Sequence, residues 1–146
     1  MKALRVFLTP LAIAIALGLA ARAAVHIYAI PSASMAPTLL AGDRIIVTRC
    51  LAAPRRGDVV VFHAPLTGEL MVKRVAGVPG EVMEAGAGRT VVVPADSYFV
   101  VGDNRQDSFD SRHWGPVSRD LIVGRARVVL WSSVAAAHGR IFRRIH

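Results

Sequence analysis

A chain of 146 residues, 53% of them hydrophobic, has room for one modest domain and its core but not for two. Its one cysteine, Cys50, excludes an internal disulfide and a multi-cysteine zinc site, and reads as a small buried hydrophobe. The net charge of +8 raises nucleic acid as a partner, yet no basic motif is interleaved with aromatics; Arg140, Arg143 and Arg144 in the tail suit anionic membrane lipid better.

Lys2 and Arg5 precede an uncharged run from Val6 to Ala21; Arg22 interrupts it, and apolar or small residues resume to Ile30. A helix of sixteen residues covers about 24 Å, short of the roughly 30 Å hydrocarbon core, whereas Val6 to Ile30 covers about 37 Å. Arg22 is tolerable near a helix end, where its guanidinium snorkels to the headgroups. Residues 1–30 are therefore expected to be a single-pass helical membrane anchor. Ala21-Arg22-Ala23 also has the outline of a cleavable secretory signal, and a buried core helix is a third reading. The anchor is preferred because Arg22 is awkward inside a cleavage site and apolar sequence continues beyond it. With Lys2 and Arg5 inside, the body, residues 31–146, faces the periplasmic or outer side of the cytoplasmic membrane.

After Ile30 the pattern changes to short β-branched runs: Arg44 to Thr48, Val59 to His63, Met71 to Val78, Thr90 to Val93, Tyr98 to Val101 and Leu121 to Trp131. Gly42-Asp43, Gly57-Asp58, Pro79-Gly80 and Gly102-Asp103 mark turns between them. The fold class is mostly β, a compact sheet assembly or partly closed barrel.

Of the basic residues after position 30, fourteen are arginine and one is lysine, Lys73. Arginine stays protonated in proteins, while a desolvated lysine can become a neutral amine. On a strand of period two Lys73 shares a face with Met71 and Val75, and Arg74 points the other way. An ordinary lysine needs about 4.6 kcal/mol to be neutral at pH 7, and burial can supply a shift of about 3 to 5 pKa units. From this strand alone a solvated lysine is the simpler reading. Ser34, held in "PSASMAP" between Pro31 and Pro37, offers a hydroxyl that such a base could activate. His113 with Asp103 or Asp110 is the rival arrangement. The stretch "GDNRQDSFDSRHWG", residues 102–115, is either an exposed polar loop or a hydrogen-bond network in which Ser108 or Ser111 orients the Lys73 amine.

Taken together and in order, "PSASMAPTL", "VKRVAGVPGE" and "GDNRQDSFDSRHWG", after an N-terminal apolar segment, resemble the motif boxes of type I signal peptidases. The resemblance runs from the anchor to about Trp131 and implies a membrane-anchored serine endopeptidase that needs no metal or cofactor. It makes Ser34 the nucleophile and Lys73 the general base. By the same matching, the Ser32 hydroxyl and the Ser34 amide form an oxyanion hole, and Ser108 helps to position Lys73. Asp103, Asp110, Arg74 and Arg112 become supporting pairs, and Ile30, Met35, Met71 and Val72 flank shallow substrate pockets. The implied partners are preproteins with small residues, typically alanine, before the cut and one residue further back. Glu81 stands where the second box usually ends in aspartate. The interval from Val82 to Ser97 leaves room for one hairpin where larger members carry an extra β subdomain. A peptidase dedicated to a single pilin or conjugation substrate, and a silent membrane-anchored β binding module, are the alternatives.

Overall fold

The computed structural model describes residues 25–49, 52–132 and 142–145, with Pro10 and Ile13, both helical, before them. Apart from those two positions, the expected anchor up to residue 24 lies outside the described residues, as do Arg22 and the Ala21-Arg22-Ala23 site, Cys50 and Arg140. Among the described residues no helix is long and apolar enough to cross a membrane.

Among the described residues ten strands follow in chain order: β1 Val25–Ala29, β2 Arg44–Thr48, β3 Val59–His63, β4 Leu70–Gly77, β5 Val82–Ala85, β6 Arg89–Val92, β7 Ser97–Val101, β8 Val117–Ser118, β9 Ile122–Trp131 and β10 Arg143–Arg144. A four-residue helix, α1 (Ser111–Trp114), and a 3₁₀ turn, Arg119–Leu121, interrupt them. The main sheet runs β1-β2-β9-β3-β4-β7-β8, with β10 on β9; β5 and β6 form a separate hairpin in the interval where one was expected. All pairings are antiparallel, and register shifts in β2·β9, β3·β9 and β4·β7 bend the sheet. Among the described residues it stays open, a half-barrel with β1 and β8 at its edges.

β3 explains the architecture. Its run Val59-Val60-Val61-Phe62 is buried throughout, as a central strand covered on both faces requires. Val59 and Val61 enter one core with Ile30, Met35, Leu39, Ile45 and Val47, whereas Val60 and Phe62 enter a second with Val75, Tyr98 and Val100. Burying one such side chain contributes roughly 1.5–3 kcal/mol. A one-residue slip would exchange the two sets between the cores, so register is strongly specified.

The sequence expectation fails at the N-terminal edge of the body. The apolar helix expected to run to Ile30 cannot include Val25–Ala29, which pair with Thr48–Arg44 across five successive positions. β-Branched Val25 and Ile27 and aromatic Tyr28 suit a strand, and β2 presents an edge for them. Hydropathy alone does not separate an apolar helix from a strand that continues it.

Candidate active site

The segment after β1 is fixed at both ends. The Ile30 amide donates to the Asp43 carbonyl at 2.8 Å, and Gly42 donates back to Ile30 at 2.8 Å. Met35 and Leu39 are buried in the first core, and the Leu39 amide donates to the Met35 carbonyl. The Ala36–Pro37 bond is cis. Ser34 lies between these anchors, half-buried, with its carbonyl accepting from the Asn104 amide at 3.0 Å. The Asn104 side-chain amide donates to the Ala33 carbonyl at 3.3 Å.

Lys73 arrives from β4. Directly opposite Val60, it shares a face with Met71 and Val75 and is only 4% exposed. Its Nζ donates to Ser34 Oγ at 2.6 Å. Burial lowers its pKa below the ordinary lysine value and Arg112 pushes the same way, while Asp110 and Asp107 oppose them. Ser34 Oγ is also 3.3 Å from Ser32 Oγ, so two hydroxyls and one amine converge.

Two ion pairs stand behind them. Arg74, on the opposite face of β4, holds Asp103 in a fork, Nε to Oδ1 at 2.8 Å and Nη2 to Oδ2 at 2.7 Å, and its Nη1 donates to the Gly57 carbonyl. Asp110, wholly buried, accepts from Arg112 Nε and Nη2, from Ser108 Oγ at 2.6 Å and from the Gly102 amide at 2.9 Å. Burial alone would raise the Asp110 pKa, but the hydrogen bonds from Arg112, Ser108 and Gly102 outweigh it and hold the carboxyl at about 2.

The Ser108 proton is thus committed to Asp110, and no Ser108–Lys73 hydrogen bond occurs among the described residues. Ser111 is buried and accepts from the Val100 amide, and no Ser111–Lys73 hydrogen bond occurs among the described residues. The histidine rival is not assembled. His113 caps α1 by accepting from the Asp110 amide and stacks on Phe109, while Asp103 and Asp110 serve the arginines.

Ser34 and Lys73 open onto a groove of about 520 Å³, and Ile30, Met35, Met71 and Val72 all line it, with Tyr28, Leu70 and Phe109. β7 pairs with β4 only from Arg74 onward, so the other edge of Leu70–Lys73 has no strand partner among the described residues. Two contributors escape sequence reasoning. Asn104 grips Ser34 chiefly through its backbone, which residue type does not reveal. Gly102 leaves no room for a side chain: a Cβ there would lie 2.5 Å from the Ser34 carbonyl oxygen. The Gly-Asp-Asn turn was their only trace in the sequence.

A family model described as signal peptidase, peptidase S26, matches residues 3–92 and 83–131. Signal peptidase I of Leptolyngbya laminosa is 39% identical, over 83% of this chain and 75% of that protein. Probable signal peptidase I-2 of Synechocystis is 35% identical over 70% of this chain, and the match spans 61% of that protein, under two thirds of its length. A crystal structure of a signal peptidase I from Enterococcus faecalis superposes with a TM-score of 0.45 and 26% identity, covering 51% of this chain and 97% of that one.

Proposed function

We propose that this chain, which belongs to the signal peptidase family, peptidase S26, cleaves preproteins through Ser34 as nucleophile and Lys73 as general base. It is a serine endopeptidase of the signal peptidase I type, and signal peptidase I acts on preprotein substrates. The observation that carries the residue assignment is the 2.6 Å contact between Ser34 Oγ and the Nζ of a lysine that is 4% exposed.

In the working state the same contact runs with its proton reversed: neutral Nζ accepts the Ser34 hydroxyl proton as Oγ attacks the scissile carbonyl. The negative charge that develops on the carbonyl oxygen is met by the Ser32 hydroxyl and the Ser34 amide. The ammonium then returns its proton to the leaving amine, and a water deprotonated by the regenerated Nζ releases the acyl-enzyme. Ser108 donates to Asp110, the buried carboxylate whose charge acts on Lys73, and so bears on the amine through Asp110 and not by a direct bond. The fork of Arg74 on Asp103 and the Arg112–Asp110 pair keep β4, the Ser34 carbonyl and the loop after β7 in fixed relation.

An extended substrate adds as a strand along the open edge of Leu70–Lys73, its backbone supplying the hydrogen bonds that β7 does not. Ile30, Met35, Met71 and Val72 line that part of the groove with apolar side chains, which supports their reading as the pockets for small residues before the cut. The N-terminal apolar segment anchors the chain once in the membrane, with the catalytic body on the outer side.

The test is cleavage of a preprotein ending in an alanine-type site, assayed in detergent. Ser34→Ala and Lys73→Ala each lower the rate by on the order of 10³-fold or more. Lys73→Arg fails equally, because it keeps the charge and loses the base. Substantial turnover by Lys73→Arg refutes lysine as the base.

A further inference from the structure

The charges lining the groove run against the rest of the molecule. The chain has 18 lysines and arginines against 10 aspartates and glutamates. Yet among the described residues the charged ones lining the groove are Glu69, Asp107 and Lys73, with no arginine. Four of the acids outside the groove are held in ion pairs: Asp58 with Arg125, Glu81 with Arg56, Asp103 with Arg74 and Asp110 with Arg112. The Glu69 and Asp107 side chains hold no hydrogen bond or ion pair among the described residues, and both are exposed. With Lys73 neutral in its working state, the empty groove carries negative charge inside a strongly basic protein.

Position along β4 gives Glu69 an address. The Ala64 amide donates to the Glu69 carbonyl at 2.8 Å, continuing the β3·β4 ladder one step before Leu70. Glu69 immediately precedes β4, four residues from Lys73, and it lines the groove together with Met71 and Lys73. Four residues of strand span about 13 Å, and an extended substrate laid along this edge advances by the same rise per residue. The apolar arm of the groove, Met71 and Val72, lies between, so Glu69 faces the acyl side of the substrate.

Resting on the reading of this groove as the substrate cleft, we propose that Glu69 is a specificity-determining residue that favours lysine or arginine at the fourth residue before the scissile bond and disfavours acids there. Asp107 adds to the same field without setting the position.

The test compares kcat/KM for two peptides that differ only in lysine or glutamate at that fourth residue, using the full-length chain in detergent at low salt. Wild type favours lysine by about three- to tenfold, the size expected of a partly solvated charge pair. The ratio falls towards one in Glu69→Gln, inverts in Glu69→Arg, and collapses near 1 M salt, where screening acts within about 3 Å. Because each ratio is taken within one variant, a variant of lower overall activity still reports. A wild-type ratio near one, or a preference that survives Glu69→Gln whatever Asp107→Asn does, overturns the assignment. If neither peptide is cleaved by wild type, it is the peptidase reading that fails; cleavage abolished by Ser34→Ala with no charge preference removes only the role of Glu69.

Discussion

Asp110 joins more of the site than any other side chain, and its ionisation gives a measurable handle on that role. Its carboxyl is held at about 2 against an ordinary 3.8. At about 1.36 kcal/mol per pH unit, the difference corresponds to about 2 kcal/mol. That figure is an upper one, because a quarter of the partner Arg112 side chain meets solvent and screens the pair. The sign follows from the direction of the shift. A carboxyl whose folded pKa is depressed contributes its stability above the unfolded pKa and loses it as pH falls through the folded one. The contribution is therefore complete above about pH 5 and disappears towards pH 2. Asp110→Asn keeps the shape and removes the charge, so it mimics the protonated form at every pH. Chemical unfolding followed by tryptophan fluorescence should show the variant less stable than wild type by about 2 kcal/mol at pH 7, or about 5–10 °C in Tm. The gap should close towards zero near pH 2. Asp103 is also lowered, but it titrates in both proteins and cancels in the difference. A gap of equal size at pH 7 and pH 2.5 would refute the argument, since it would trace the loss to shape rather than charge.

The limits of the sequence reading are physical. β2 and β3 were legible to the residue because each β-branched run starts directly after a Gly-Asp turn, a purely local code. β1 was not, because an apolar segment leaving a membrane looks alike as helix or strand until β2 offers an edge. β8 and β10 are two residues each and exist only through their partners, Tyr98–Ser97 and Val128–Val129. In the site, Lys73 stood out as the lone lysine of the body, and alternation along β4 foretold its apolar face. That its nitrogen meets Ser34, 39 residues away, came from the order of the motifs and not from any local pattern. The division of labour in residues 102–115 was the least legible part. Ser108 and Ser111 are chemically equivalent in sequence, yet one donates to a buried carboxylate and the other accepts from a strand amide.

Two further outcomes bear on how tightly the catalytic pair is held. Gly102→Ala puts a methyl 2.5 Å from the Ser34 carbonyl oxygen and equally close to Ser108 Cβ, neither of which is a free side-chain end. Overpacking of this kind costs about 1–3 kcal/mol, and a displaced nucleophile on the scale of 1 Å loses about 10²-fold in rate. Cleavage should fall by at least tenfold with Tm lowered only modestly; activity within twofold of wild type would show that the loop after β7 does not constrain Ser34. The pH dependence of kcat/KM tests the base itself. Burial lowers the Lys73 pKa, and the neutral amine is the reactive form, so the rate should climb with pH through an ionisation below the 10.5 of an ordinary lysine. Asp107 and Asp110 both raise that pKa, and Asp110 is buried beside the pair. Removing the Asp110 charge therefore makes the amine easier to deprotonate. In Asp110→Asn the climb should move to lower pH even though the maximal rate drops, two changes of opposite sense that loss of packing alone does not produce. An unmoved midpoint, or one at the ordinary lysine value in both proteins, would mean that the ionisation controlling turnover is not that of Lys73.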